Sequence, residues 1–92
     1  MASRLSFDWD EANISHVARH GVTQAEAEEI VRGAAAVVES DRHGESRSVV
    51  IGDTAGGRTL VVVFAARKER VRIVTAYPAN RSQRARYRGH RR

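Results

Sequence analysis

His16 and His20 stand four residues apart, the spacing that stacks two side chains on one helical face. Asn13 falls on the same face, three residues before His16. A pair of this kind can ligate a divalent ion. No carboxylate stands between them in a His-Glu-x-x-His pattern and no third ligand is evident, so no metal site is expected. Two other uses remain open. His20 can pack beside the Gly21 turn and bond a backbone carbonyl, or the pair can exchange protons or meet a partner, since imidazole titrates near neutrality. A second grouping is Arg42, His43, Glu45 and Arg47. It reads either as a solvated turn or as an acid–base and phosphate-binding cluster at a strand end. Cleaving RNA requires a base for the 2′-hydroxyl, an acid for the leaving oxygen and cations for the phosphorane. His43, Glu45 and the arginines have those chemistries.

The third chemical feature is charge. Residues 77–92 hold Arg81, Arg84, Arg86, Arg88, Arg91 and Arg92 and no acid. The other 76 residues hold ten basic and eleven acidic groups, out of 16 and 11 in the whole chain. A near-neutral body thus carries a cationic end. All but one of the basic residues are arginine, whose fork binds phosphate and carboxylate at two points and stacks on bases. The end is either a solubilising tail or an anion binder, for RNA, DNA or an acidic protein. Tyr77 and Tyr87 flank it, and tyrosine among arginines can stack bases. Gly56-Gly57 lacks the pattern of a nucleotide-binding loop and reads as a hairpin turn.

These residues need elements to position them. Leu5, Phe7 and Trp9 alternate with polar residues, which predicts a short first strand. Asp8 or Asp10 can cap a helix that stops at Gly21, with Ile14, Val17 and Ala18 as its apolar stripe. Thr23-Gln24-Ala25-Glu26 is a capping box opening a second helix that buries Ala27, Ile30 and Val31 and closes at Gly33. Residues 35–39 suggest a brief edge strand, followed by a polar turn over 40–45. Strands are expected at about 47–52, 58–65 and 70–76, joined by hairpin-length loops. Leu60-Val61-Val62-Val63-Phe64 is apolar on both faces and belongs in the centre of the sheet. In the last strand Arg70, Arg72 and Val74 alternate with Val71, Ile73 and Thr75. Pro78 can open a final helix over about 79–88, with Arg81, Arg84 and Arg88 on one face, Ala85 and Tyr87 left to dock, and a frayed end from Gly89.

Helices grouped before a sheet predict a two-layer α+β domain spanning 1–92, an antiparallel sheet with helices packed on one face. The other face stays partly open, with the final helix near it. A chain of 92 residues buries only about 60–65% of its unfolded surface, so a partner or a homodimer would add useful burial. There is no apolar run of about 18 residues to span a membrane and no signal-like start. The absence of cysteine excludes disulfides and thiol catalysis and fits a cytoplasmic setting.

Several segments, in order, resemble the BrnT toxins of bacterial type II toxin–antitoxin systems. They are Phe7-Asp8-Trp9-Asp10, Asn13, His16, Arg19-His20-Gly21-Val22 and the Glu-rich helix from Ala25 to Ile30. They continue with the run from Gly57 to Val63, then Val71 to Ala76, then Arg84-Ala85-Arg86-Tyr87. The resemblance covers about nine-tenths of the chain. It implies a RelE-like fold, metal-independent ribonuclease activity without a cofactor, and neutralisation by a BrnA-like antitoxin. That antitoxin carries a ribbon–helix–helix part, so operator DNA is met only indirectly through it. The chain departs from the family where its last strand ends Thr75-Ala76-Tyr77, since many members read Ser-Ala-Arg there. Gln83 also stands where Glu often precedes the arginine.

Chemistry and resemblance together give the expected site. His20 or His43 would move protons. Arg47, Arg72 and Arg84 would hold phosphate, and Tyr77 would orient or stack. Arg58, Arg81, Arg88 and Tyr87 would bind RNA. The alternative function is a non-catalytic module of the same fold that binds RNA or its antitoxin.

Overall fold

The structure is a computed structural model that describes residues 6–33, 37–42, 45–67 and 69–90. The element order is β1 (Ser6–Asp8), α1 (Glu11–Arg19), α2 (Gln24–Arg32), β2 (Val37–Arg42), β3 (Glu45–Asp53), β4 (Thr59–Arg67), β5 (Arg70–Pro78) and α3 (Arg81–His90). This is the expected α+β arrangement. The five strands form one sheet in the order β1-β5-β4-β3-β2. The apolar strand β4 lies in the middle, where both of its faces are covered. The sheet is mixed rather than purely antiparallel, because β1 pairs parallel to β5, with Asp8 opposite Arg72. The chain leaves β1 into two helices and three strands before it reaches β5, and that long path permits the parallel pairing.

Each helix is set by its caps. Asp10 caps α1, accepting from the backbone of Ala12 at 3.0 Å and of Asn13 at 3.1 Å, while Asn13 Oδ1 accepts from Asp10 N at 2.7 Å. Gly21 follows at φ 76°, a conformation that glycine adopts without strain. The expected box at Thr23 and Glu26 opens α2 with two reciprocal bonds of 3.1 Å. Pro78 does not open the last helix. It is the final residue of β5, opposite Leu60, and Asn80 and Gln83 exchange the capping bonds of α3 two residues later. The helix therefore starts at Arg81 instead of 79 and runs to His90, while the frayed end expected beyond it lies outside the described residues.

Strand pairing assigns the faces. Val50, Leu60, Val62, Val71, Ile73 and Ala76 point to one side, where Val17 of α1, Val22 and Ala27 and Ile30 of α2 close the main core. Full burial of such a side chain contributes about 1.5–3 kcal/mol. The stripe expected on α1 is only one-third buried: Val17 is inside, while Ile14 and Ala18 are exposed. Asn13 takes the inward position instead. On the other face Ile51 and Val61 meet Ala79, with Val49, Tyr77 and Tyr87 packed against them. Tyr87 thereby docks α3 across the face that α1 and α2 leave open.

One irregularity reverses an expected alternation. Phe64 pairs with Ile73 and Val63 with Thr75, so Val74 is an extra residue in β5. A bulge of this kind shifts every later side chain to the opposite face. Thr75 and Tyr77 therefore share a face with Arg72, and not with Ile73 as strict alternation from Arg70 predicts.

Candidate functional site

The bulge and the short β1 create the site. Only Ser6–Asp8 pair with β5, through Arg70–Arg72, so the outer edge of β5 is uncovered from Ile73 onward. Asn13 fills that gap. Its Nδ2 donates to the carbonyl oxygens of Asp8 at 3.0 Å and Ile73 at 2.9 Å, and the side chain is 4% exposed. One amide thus ties the end of β1, the first turn of α1 and the edge of β5. A buried carbonyl left unpaired costs about 1–3 kcal/mol, so this amide fixes how α1 lies on the sheet.

His16 follows one turn after Asn13 and overhangs the sheet edge. With Ala12, Asn13, Arg47, Ala65, Arg72, Ile73 and Val74 it lines a hollow of about 260 Å³. Register explains the convergence. Arg47 is opposite Ala65, and Ala65 is opposite Arg72, so the three share one face in one row across the sheet. Small Ala65 leaves room between the two guanidinium groups. Arg72 is held from the β1 side, with Asp10 Oδ2 at 3.1 Å and Asp8 Oδ2 at 3.6 Å. The Asp10 carboxyl titrates below its usual value, chiefly because the Asn13 backbone N–H bonds it, with Arg72 contributing and partial desolvation opposing.

His20 continues the row along α1. Its ring lies 5.4 Å from that of His16 and 6.2 Å from that of Tyr77, edge-on in both cases. The bulge brings Tyr77 to this side, so His16, His20 and Tyr77 form a contiguous line from the hollow toward α3. Chemically the region offers imidazoles as proton carriers, a phenol beside one of them, and two arginines suited to a phosphate.

A second concavity lies at the opposite end of the strands. Gly57, Arg58, Thr59, Pro78, Arg81, Arg84, Ala85 and Arg88 line a groove of about 590 Å³ between α3 and the β3–β4 turn. Gly57 sits there at φ 91°. Arg58 already has partners: its Nη1 donates to both Glu26 carboxylate oxygens and to the carbonyl of Gly21, all at 3.0 Å. The Glu26 carboxyl is lowered from its usual range first by the Thr23 backbone N–H and then by Arg58, against some desolvation. By contrast, the guanidinium groups of Arg81, Arg84 and Arg88 are exposed and have no ion-pair partner among the described residues.

The expected site therefore divides. Arg47 and Arg72 meet in the hollow, with His20 and Tyr77 beside it. Arg84 lies in the groove with Arg58, Arg81 and Arg88. Tyr87 is packed on the sheet rather than presented in the groove. His43 lies outside the described residues. Two contributors, His16 and Asn13, stand outside the expected set of site residues. His16 carried a signal, its spacing from His20. Asn13 shared that spacing, but its bridging role depends on a strand edge 60 residues away in the chain. The glutamates of α2 also do more than complement the helix dipole: Glu28 accepts from Trp9 Nε1 at 2.7 Å and Glu29 from Ala55 N at 2.6 Å.

Fold and surface together define a small α+β protein with a histidine–arginine hollow at a sheet edge and a cationic helix across the open face. Comparison with known families makes this specific. Residues 9–83 match the family described as the ribonuclease toxin, BrnT, of type II toxin–antitoxin systems, and the chain belongs to that family. Membership implies an antitoxin as partner. No curated protein matches the chain. No helix among the described residues is long and apolar enough to cross a membrane.

Proposed function

We propose that the chain is a metal-independent endoribonuclease whose reaction takes place in the hollow between α1 and β5. The observation that carries this reading is the meeting of His16, Arg47 and Arg72 there, with His20 and Tyr77 in line beside them. One histidine removes the proton from the ribose 2′-hydroxyl, and the 2′-oxygen bonds to phosphorus. The bond from phosphorus to the 5′-oxygen then breaks, and a second acid protonates that oxygen. The products are a 2′,3′-cyclic phosphate and a 5′-hydroxyl. Two adjacent imidazoles, one neutral and one protonated, suit the two proton transfers. Arg72 and Arg47 meet the charge that builds on the phosphorane, in the manner of a preorganised donor pair. Tyr77 orients His20, and His43 remains a candidate for the acid. Purified protein should fragment mixed RNA in the presence of chelator, and Arg72→Ala should lower the yield. Intact RNA under those conditions would remove the catalytic reading.

The partner in this proposal is a BrnA-like ribbon–helix–helix antitoxin that neutralises the protein in the cytoplasm. Co-purification of a small ribbon–helix–helix protein encoded next to this chain tests that part. A second reading, a non-catalytic module that only binds RNA or the antitoxin, has one observation in its favour. Asp8 and Asp10 already compensate Arg72, so the charge of the hollow is partly satisfied before any phosphate arrives.

A further inference from the structure

We infer that the groove between α3 and the Gly57–Thr59 segment is a separate subsite for the phosphate chain of single-stranded RNA, outside the reacting hollow. This rests on the ribonuclease reading and adds where the rest of the substrate lies. The groove and the hollow share no lining residue. Arg81, Arg84 and Arg88 recur along one face of α3, so their charges follow each other about 4.5 and 6 Å apart along the axis.

That pattern is unfavourable for the helix alone. Like charges three and four residues apart repel. Arg81 also stands in the first turn, where a cation opposes the helix dipole, and the turn contains no acid. Three arginines outside α3 are balanced by carboxylates: Arg32 pairs with Glu28, Arg58 with Glu26, and Arg72 with Asp8 and Asp10. Three such charges gathered along one groove, with no ion-pair partner among the described residues, mark a place where an external anion completes the structure. The lining identifies the anion. Apart from the arginines it offers Gly57, Thr59, Pro78 and Ala85, with no large apolar side chain pointing in to anchor a peptide. A flexible polyanion of regular charge spacing fits such a wall, and fork-shaped guanidinium groups grip phosphate at two points. The ring contacts His16–His20–Tyr77 lead away from the hollow, and Pro78, the next residue of β5 after Tyr77, lines the groove.

Uncleavable 2′-O-methyl oligonucleotides test this by fluorescence anisotropy, independently of catalysis. Wild-type affinity should rise with oligonucleotide length. In the double variant Arg81→Gln/Arg88→Gln affinity should fall at least about tenfold, and the slope of log K against log salt should shrink by about 1.4, two phosphates at about 0.7 each. Arg19→Gln, a charge change on α1 outside the groove, controls for net charge and should leave affinity within about twofold of the wild type. Both positions on α3 are exposed, and an unchanged circular dichroism melt separates lost binding from lost fold. Unaltered affinity and salt slope in the double variant would overturn the subsite. So would equal binding of a polyglutamate peptide of matched charge, which would make the groove a protein site. Binding that behaves as expected beside a wild type that never cuts RNA would sink the catalytic reading and leave the subsite standing.

Discussion

The hollow and the groove both gather arginines but differ in how that charge is balanced and in what stands beside it. In the hollow Asp10 and Asp8 bracket Arg72, and the neighbouring imidazoles add proton chemistry rather than fixed charge. In the groove three arginines of α3 have no ion-pair partner among the described residues, and its lining holds no histidine. On the proposed function the difference separates two tasks that one cluster performs poorly. Uncompensated charge attracts a polyanion from a distance, and that attraction is screened by salt. A reacting centre instead needs groups held in place before the substrate arrives, and the carboxylates hold Arg72 in that way. Substitutions on the two sides should therefore fail differently.

The largest effect is expected from His16→Asn. Loss of a positioned acid or base typically removes two to four powers of ten in rate, so turnover should fall by about 10²–10⁴, read by single-turnover cleavage of a labelled oligoribonucleotide. Affinity for an uncleavable oligonucleotide should stay within about twofold in the same variant, since the arginines of the groove would supply the contacts to the phosphate chain. An equal loss of affinity would break the separation of the two regions. Arg72→Gln should follow, with a loss of about 10²–10³. Arg72→Lys should not restore it, because a point charge cannot reproduce a planar fork held between two carboxylates. Full rescue by lysine would mean that Arg72 acts through charge alone.

Asn13→Ala sharpens the comparison from the structural side. It leaves the carbonyls of Asp8 and Ile73 without their donor and opens the capping box, for about 1–3 kcal/mol. In a domain this small each kcal/mol lowers Tm by about 4–8 °C. Turnover should fall with it, because α1 carries His16, while the groove arginines on α3 should bind RNA as before. Thermal melts and anisotropy on one preparation check both parts.

The smallest effect concerns acid. The carboxyl groups of Asp10 and Glu26 titrate below their ordinary values of 3.8 and 4.5 in the folded chain. A lowered folded value means that the unfolded chain takes up the proton first as pH falls. Their stabilisation is therefore complete above about the ordinary values and is lost as pH drops through the lowered ones. Asp10 is exposed and Glu26 only half-buried, so the contribution is small. Glu26→Gln should flatten part of the decline of Tm on acidification below pH 4.5, and an unchanged profile would deny Glu26 that role.

How far the sequence carried depends on the range of each interaction. The capping box at Thr23 and Glu26 and the turn at Gly21 are local, and both were legible. The central position of β4 followed from an apolar run that needs cover on two sides. The bulge at Val74 left no mark in the residue types, because any of the surrounding valines and threonines could have been the extra one. That single residue decides that Tyr77 joins Arg72 and His20. Pro78 has the right chemistry for a helix start and equally for the end of a strand, and the Asn80–Gln83 pair settles the choice in favour of the strand. Arg47 and Arg72 were legible as candidates by type, but their meeting is a product of register across three strands. His16 and Asn13 show the converse: their spacing was visible, while the strand edge that gives it meaning was not.

The proposed reaction cuts RNA in the hollow by 2′-hydroxyl attack. The most direct measurement is mass analysis of the ends produced from a defined oligoribonucleotide by wild-type protein and by His16→Asn, both in chelator. Fragments ending in a 2′,3′-cyclic phosphate from the wild type, falling by at least about a hundredfold in the variant, are the expected result. A wild type that yields no fragments, or a His16→Asn protein that cuts as fast as the wild type, would contradict it.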